Sequence, residues 1–132
     1  MPGLIELEVA TPERLMVRES VDDVQIPGKD GYLGILPGHA ALLSQLGTGV
    51  LSYGVGGHRR SLSVQGGFLE VLPEHVRVLA NLAERSEDID VERAKADLKR
   101  AEEQVGNPQA GVEPQVALDA LALAQARVDA TK

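Results

Sequence analysis

The chain has 132 residues, a formal net charge of −7 and no cysteine. This length suits one domain, or one domain with a small appendage. The negative charge disfavours nucleic acid and anionic lipid as direct ligands, and the lack of cysteine excludes disulfides, thiolate metal sites and cysteine nucleophiles.

The first part of the chain, to about residue 83, has apolar residues at every second position. Ile5, Leu7 and Val9 alternate with glutamates, and the same spacing recurs in residues 62–65 and 76–80. This alternation indicates half-buried strands. Pro-Gly and Asp-Gly pairs between these segments favour tight turns. Many short strands at close spacing predict an antiparallel sandwich or barrel.

After residue 87 the apolar spacing changes to three and four residues, which is typical of amphipathic helices. Asp88 or Asp90 can cap a first helix, and Glu113-Pro114 can begin a second one. The first predicted seam consists of Val91, Ala94, Leu98, Ala101 and Val105. The second consists of Ala117, Ala120 or Leu121, Ala124 and Val128. Because alanine dominates both seams, an antiparallel hairpin of these helices would be weakly held and is a candidate moving part.

None of the short motifs builds a catalytic or metal site. The segment GTGVLS, residues 47–52, has serine where a dinucleotide fingerprint needs its third glycine, and it lies among strands. His39, His58 and His75 do not have the spacing of a metal site, and no serine lies in a Gly-x-Ser-x-Gly motif. We therefore expect a protein that is not an enzyme.

The segment VQGGFLEV, residues 64–71, has two glycines inside a strand pattern. A bulge or a close approach of two backbones accounts for such a pair. We favour this structural interpretation over a ligand contact.

Three segments together resemble a known family. They are VQIPGKDGYLGILPGHAALLSQLGTGVL, VQGGFLEVLPEHVRVLANLAE and DIDVERA. In this order they resemble the epsilon subunit of bacterial F-type ATP synthase over essentially the whole chain. The resemblance implies an antiparallel ten-stranded β-sandwich in residues 1–86 and a two-helix hairpin in residues 87–132.

The same resemblance implies a non-catalytic subunit of the rotor. The sandwich would bind the gamma subunit and the c-ring and would couple ring rotation to the catalytic hexamer. The hairpin would either fold against the sandwich or extend into the alpha/beta hexamer and inhibit ATP hydrolysis. The interface with the c-ring and gamma would involve Gly31, Tyr32, Pro37, Gly38 and His39. His39 is then a turn or contact residue without a catalytic role.

Some members of this family bind ATP on the hairpin through an Ile-Asp-x-x-Arg-Ala motif. The motif is matched here by Ile89, Asp90, Arg93 and Ala94, with Glu84 and Arg100 in supporting positions. The second helix offers Arg127 alone, where the ATP-binding members have two arginines. ATP would therefore be at most a weak regulatory ligand, no cofactor is required, and a plain helix cap at Ile89-Asp90 is the favoured interpretation.

The resemblance implies a peripheral position at the cytoplasmic face of the bacterial inner membrane. No apolar run approaches the ~20 residues of a membrane span, so we expect no direct membrane insertion. The N-terminal residues also lack the basic cluster of a secretory signal.

The alternative to this function is a free-standing β-sandwich that binds a ligand and dimerises through a helical tail. The chain has only two tyrosines and one phenylalanine to line a binding groove, which argues against this alternative.

Overall fold

A computed structural model describes residues 3–132; residues 1–2 of the predicted sandwich domain lie outside the described residues. The described chain forms eight strands and then two helices, with one short 3₁₀ turn before each helix. The strands are β1 (Ile5–Ala10), β2 (Leu15–Val21), β3 (Asp23–Gly28), β4 (Gly31–Ile35), β5 (Leu42–Gln45), β6 (Thr48–Val55), β7 (His58–Val71) and β8 (His75–Arg85). The helices are α1 (Val91–Val105) and α2 (Pro114–Ala130).

The strand order is β2-β1-β8-β7-β6-β3-β4, with β5 also paired to β7. The predicted class, a β-sandwich followed by a helical hairpin, is confirmed, but residues 3–132 contain eight strands where ten were expected. The difference arises because β7 is 14 residues long and pairs with two strands along one edge, while its other edge pairs with β8. Its first part pairs with β6 and its last four residues pair with β5. One pair, β1 with β8, is parallel, so the sheet is not antiparallel throughout.

The core of the sandwich consists of the inward side chains of the alternating segments. Ile5, Leu7 and Val9 are completely buried, as the period of two predicted. Val64, Leu69 and Val71 from β7 and Val76 and Val78 from β8 pack into the same cluster. The core therefore lies within residues 5–80, without any contribution from the helices.

The glycine pair in β7 marks a close approach of two backbones. The register between β7 and β8 is the same on both sides of the pair, because Gln65 pairs with Leu82 and Gly67 with Ala80. Gly67 has a φ of +121°, and a Cβ atom there would overlap the Leu79 carbonyl oxygen. Of the two structural interpretations of VQGGFLEV, the close approach is therefore confirmed, and the strand continues through it without an inserted residue.

Both helices begin at side-chain caps that the sequence suggested. The Asp90 carboxylate accepts a hydrogen bond from the Arg93 backbone N–H at 3.1 Å, and the Glu113 carboxylate accepts one from the Val116 N–H at 3.0 Å. Of the two candidates for the first cap, Asp90 is thus the one used. Pro114 occupies the first turn of α2, where its missing N–H leaves no hydrogen bond unmade.

The hairpin folds against the sandwich through α2. This helix contacts α1 on one side and β6 and β7 on the other. Of the predicted seam residues, Ala94, Ala101, Ala117, Ala124 and Val128 are buried, whereas Val91 and Val105 are 38% and 41% exposed. The sequence analysis missed Ala126 and Ala130, which are also buried. A single-seam pattern could not predict them, because α2 lies between two layers and buries more than one face.

A small apolar cluster lies at the base of the hairpin, which we call the hairpin seat. It consists of Ile89, Ala94, Val128 and Ala130, with Val50 and Leu98 packed against it. Val50 is the contribution of the sandwich, and the other residues belong to the hairpin and the segment before it.

Within residues 3–132 no helix is both long enough and apolar enough to cross a bilayer.

Candidate functional site

One arginine connects the two helices to the sandwich. The Arg127 Nε donates to Glu84 Oε1 at 2.8 Å, and its terminal nitrogen donates to Asp97 Oδ2 at 3.2 Å. Glu84 lies near the end of β8, Asp97 on α1 and Arg127 on α2. A single guanidinium therefore joins three elements of the folded state, and we call this group the Arg127 cluster.

The Arg127 cluster is partly shielded from solvent. The Arg127 side chain is 18% exposed, and those of Glu84 and Asp97 are 35% and 29% exposed. The hydrogen bond that Arg127 donates to Glu84 raises the pKa of Arg127 above its ordinary value, which favours the charged guanidinium. Hydrogen bonds between charged groups are stronger than neutral ones. Asp97 also lies 3.5 Å from the exposed guanidinium of Arg100.

The residues predicted to bind ATP are only partly brought together. Arg100 and Arg127 contact Asp97 at one side of an open cleft of about 290 Å³ between α1 and α2, and Glu84 joins them through its bond to Arg127. Ile89 and Ala94 are instead buried in the hairpin seat, and Asp90 serves as the helix cap. The Arg93 side chain is exposed and does not line this cleft.

The sequence analysis missed Asp97 as a member of this cluster. Its position carries a recognisable signal, because Asp97 lies four residues after Arg93 and three before Arg100, on one face of α1. Its contact with Arg127 could not be read from the sequence, since it depends on how α2 packs against α1. Among the described residues no group of three or more His, Asp or Glu side chains is arranged to hold a metal ion.

The predicted interface residues form two separate surfaces at opposite ends of β4. Gly31 and Tyr32 lie at its beginning, where the β3–β4 turn passes beside Gly47 and Gly28 bridges to Leu46. Pro37, Gly38 and His39 follow its end, where the Gly38 N–H donates to the Pro73 carbonyl oxygen at 2.8 Å. A five-residue strand separates the two by roughly 15–20 Å.

His39 makes only local contacts. Its Nδ1 lies 2.7 Å from the carbonyl oxygen of the adjacent Ala40, and its backbone N–H donates to the Leu36 carbonyl oxygen at 3.1 Å. Within residues 3–132 no carboxylate orients the imidazole in the way that a catalytic base requires. The geometry is that of a residue after a tight turn, with a partly exposed side chain.

A row of apolar side chains crosses the outer face of the sheet. Leu15 pairs with Ala10, Ala10 with Leu79, and Leu79 with Phe68, so the row runs through β2, β1, β8 and β7. Leu15, Leu79 and Phe68 are 49%, 53% and 57% exposed. We call these four residues the apolar row. Contiguous exposed apolar surface of this kind marks interaction sites, and the sequence analysis missed it.

Comparison with known proteins places this architecture in a family. The model of the ATP synthase delta/epsilon chain β-sandwich domain matches residues 4–86, and that of the delta/epsilon long α-helix domain matches residues 87–132. The chain belongs to the delta/epsilon chain family of ATP synthase.

The similar proteins support the same membership. Over 128 residues the chain is 59% identical to the ATP synthase epsilon chain of Solibacter usitatus, covering 97% of this chain and 96% of the relative. It is 49% identical over 105 residues to that of Koribacter versatilis, covering 80% and 74%. A chain in the cryo-EM structure of the Euglena gracilis mitochondrial ATP synthase OSCP/F1/c-ring superposes with a TM-score of 0.83 at 26% identity, covering 98% and 82%.

These findings confirm the resemblance to the epsilon subunit of bacterial F-type ATP synthase. An epsilon chain is a structural or regulatory subunit of the complex and not a catalytic one. This agrees with the expectation from the sequence that the protein is not an enzyme.

The Arg127 cluster generates a prediction about this epsilon chain. Arg127→Gln leaves Glu84 and Asp97 close together without their shared cation, so the hairpin should undock more often. Because charged hydrogen bonds contribute about 1.5–3 kcal/mol each, the population of undocked hairpin should rise at least tenfold. Amide hydrogen exchange of α2 in the isolated full-length chain measures this population.

Arg100→Gln is the matched control, since Arg100 also contacts Asp97 but its side chain is 68% exposed. It should leave exchange in α2 nearly unchanged, because exposed ion pairs contribute little. Equal exchange rates in the two variants would show that the Arg127 cluster does not hold the hairpin.

Proposed function

We propose that this chain is a central-stalk rotor subunit of F-type ATP synthase that couples c-ring rotation to the catalytic hexamer and restrains ATP hydrolysis through its hairpin. The observation that carries the proposal is the way the hairpin is held. In a chain of this family, α2 packs on the sandwich through small side chains, one ion cluster and a hydrogen bond that Gln65 Nε2 donates to the Asp119 carbonyl oxygen at 3.0 Å. Such an attachment is strong enough to give a defined folded state and weak enough to release.

The sandwich offers separate surfaces for two partners. The Euglena relative belongs to an assembly that contains F1 and the c-ring. We assign the apolar row to the gamma subunit, and with it the end at Pro37, Gly38 and His39, where Leu36 is 65% exposed. We assign the opposite end, at Gly31 and Tyr32, to the c-ring. The separation of the two ends along β4 supports two partners in place of one.

In the extended state the hairpin would gain little from charge. Residues 114–132 contain two cations, Arg127 and Lys132, and two anions, Asp119 and Asp129. The formal charge of this segment is therefore zero. Extension must also break the Arg127 cluster. Contact with the alpha/beta hexamer would then depend on apolar packing, and inhibition of hydrolysis should be modest and only weakly sensitive to ionic strength.

ATP enters this proposal only as a weak regulatory ligand. The cleft between α1 and α2 contains Arg100 and Arg127, but Arg127 is already bonded to two carboxylates. A nucleotide would have to displace Glu84 and Asp97 before its phosphates reached that guanidinium. The subunit would be peripheral at the cytoplasmic face of the bacterial inner membrane, attached through gamma and the c-ring.

The division at residue 86 predicts the effect of removing the hairpin. A chain ending at Ser86 should still unfold cooperatively, because the sandwich core lies within residues 5–80. It should also assemble with gamma and support ATP synthesis. Hydrolysis by the enzyme should rise by about twofold to fivefold, the range that one or two exposed ion pairs supply. If the truncated chain were unfolded, the division at residue 86 would be contradicted. If the rate of hydrolysis rose much more than this, and only at low salt, the small role of charge would be contradicted.

The apolar row predicts a position that matters for gamma binding. Leu79→Glu places a charge at the centre of the row, so a gamma subunit packed there would have to bury that carboxylate. Co-purification of gamma from detergent-solubilised membranes should fall at least tenfold. Leu118→Glu is the control, because Leu118 is similarly exposed at 49% but lies on α2. If gamma co-purified normally with Leu79→Glu, gamma would have to bind a surface other than the apolar row.

The internal carboxylates predict weak nucleotide binding. Titration of ATP into the isolated chain by calorimetry should give a dissociation constant well above micromolar, or no binding. Glu84→Gln removes one competitor for Arg127 and should not strengthen ATP binding to the submicromolar range, since the second arginine of α2 is still missing. Submicromolar binding by the natural chain that Arg93→Ala abolishes would show that the Ile-Asp-x-x-Arg-Ala match is a true site.

A further inference from the structure

Tyr32 connects the β3–β4 turn to the middle of the sheet. Its phenolic oxygen accepts a hydrogen bond from the Val50 backbone N–H at 2.9 Å. The pairing of β3 with β6 ends at Gln25 and Ser52, so the ladder offers Val50 no partner on that side. The Tyr32 side chain supplies the missing acceptor while it stays 62% exposed.

Gly49 makes this contact possible. It is buried in β6 with an ordinary negative φ, so its backbone does not require glycine. A Cβ atom at Gly49 would overlap the Tyr32 hydroxyl and lie 3.2 Å from its Cζ. The absent side chain therefore leaves the space in which the Tyr32 ring lies. This accounts for the second glycine of GTGVLS.

Val50 contacts both Tyr32 and the helical hairpin. Its N–H is bonded to Tyr32, and its side chain packs against Ile89, Ala94, Val128 and Ala130 in the hairpin seat. Val50 is the residue of the sandwich that this cluster contacts. A displacement of β6 at Val50 would therefore change both the bond to Tyr32 and the surface on which α2 docks.

We propose that Tyr32 couples the contact of a protein partner at the β3–β4 turn to the docking of the helical hairpin. A partner that holds the Tyr32 ring over Gly49 favours the docked hairpin, and a partner that draws the ring away favours its release. Coupling of this kind is reciprocal, so docking of the hairpin also favours the partner that holds the ring. The identity of that partner as the c-ring rests on the proposed function, whereas the coupling itself is a property of this chain.

The test measures hairpin docking in the isolated full-length chain. Because the chain has no cysteine, Glu70→Cys on β7 and Lys99→Cys on α1 allow two spin labels to report the distance between sandwich and hairpin. Tyr32→Phe removes only the hydroxyl and should raise the undocked fraction about threefold to fivefold, the effect of one ordinary hydrogen bond. Gly49→Ala should raise it at least as much, because the added methyl group displaces the ring.

Gly34→Ala is the matched control for Gly49→Ala. Gly34 lies two residues from Tyr32 on the same strand, has no positive φ, and has no atom within 4 Å of an added Cβ. This variant should dock as the natural chain does. In a Tyr32→Ala background, Gly49→Ala should have little further effect on docking, because the ring that it displaces is gone.

Two results would overturn the proposal. One is an undocked fraction in Tyr32→Phe and Gly49→Ala equal to that of Gly34→Ala. The other is full additivity of Gly49→Ala and Tyr32→Ala. Tyr32→Phe keeps the ring and therefore the packing, so its result is informative even if Gly49→Ala folds poorly. Failure of the natural chain to co-purify with gamma and the ring would instead contradict the proposed function. It would leave the coupling between Tyr32 and the hairpin intact.

Discussion

The position of the helical hairpin depends on the bonds that Arg127 makes to Glu84 and Asp97. The remaining contacts of α2 are largely those of alanine, and each buries little apolar area. An ion pair that is partly shielded from water is therefore a large share of what distinguishes the docked state from the undocked one. The same residues join β8, α1 and α2, so the loss of one side chain affects both helices together. This is the construction expected of an element that moves as a unit.

The sandwich provides the base on which the hairpin docks, and it also exposes apolar surface. Its core is complete without the helices, because the inward side chains of eight strands pack on one another. The long strand β7 holds the layers together, and Gly67 lets it pass close to the backbone of β8. The outer face retains an apolar row that the isolated chain does not cover. A core that is complete by itself and a face that is left uncovered suit a subunit of a larger complex.

The Arg127 cluster bears on the proposal that ATP binds this chain weakly or not at all. Phosphate groups need cations that are free to approach them. Here the cation of α2 is bonded to two carboxylates of the same chain, and Arg93 points to solvent outside the cleft. Glu84 and Asp97 already bond to this guanidinium, which supports the expectation that ATP is at most a weak ligand.

The sequence by itself determined the elements and their caps. Alternation identified the buried side chains of β1, β7 and β8, and Asp90 and Glu113-Pro114 marked the helix starts, because these signals depend on neighbours a few residues apart. Only the tertiary structure decided the rest. The eight-strand count, the parallel pair of β1 with β8, and the placement of Tyr32 and His39 at opposite ends of β4 depend on pairing between distant segments. Asp97 beside Arg127, and Tyr32 bonded to Val50, likewise depend on how separate elements pack. Periodicity reports which face of an element is apolar, but it does not report which other element covers that face.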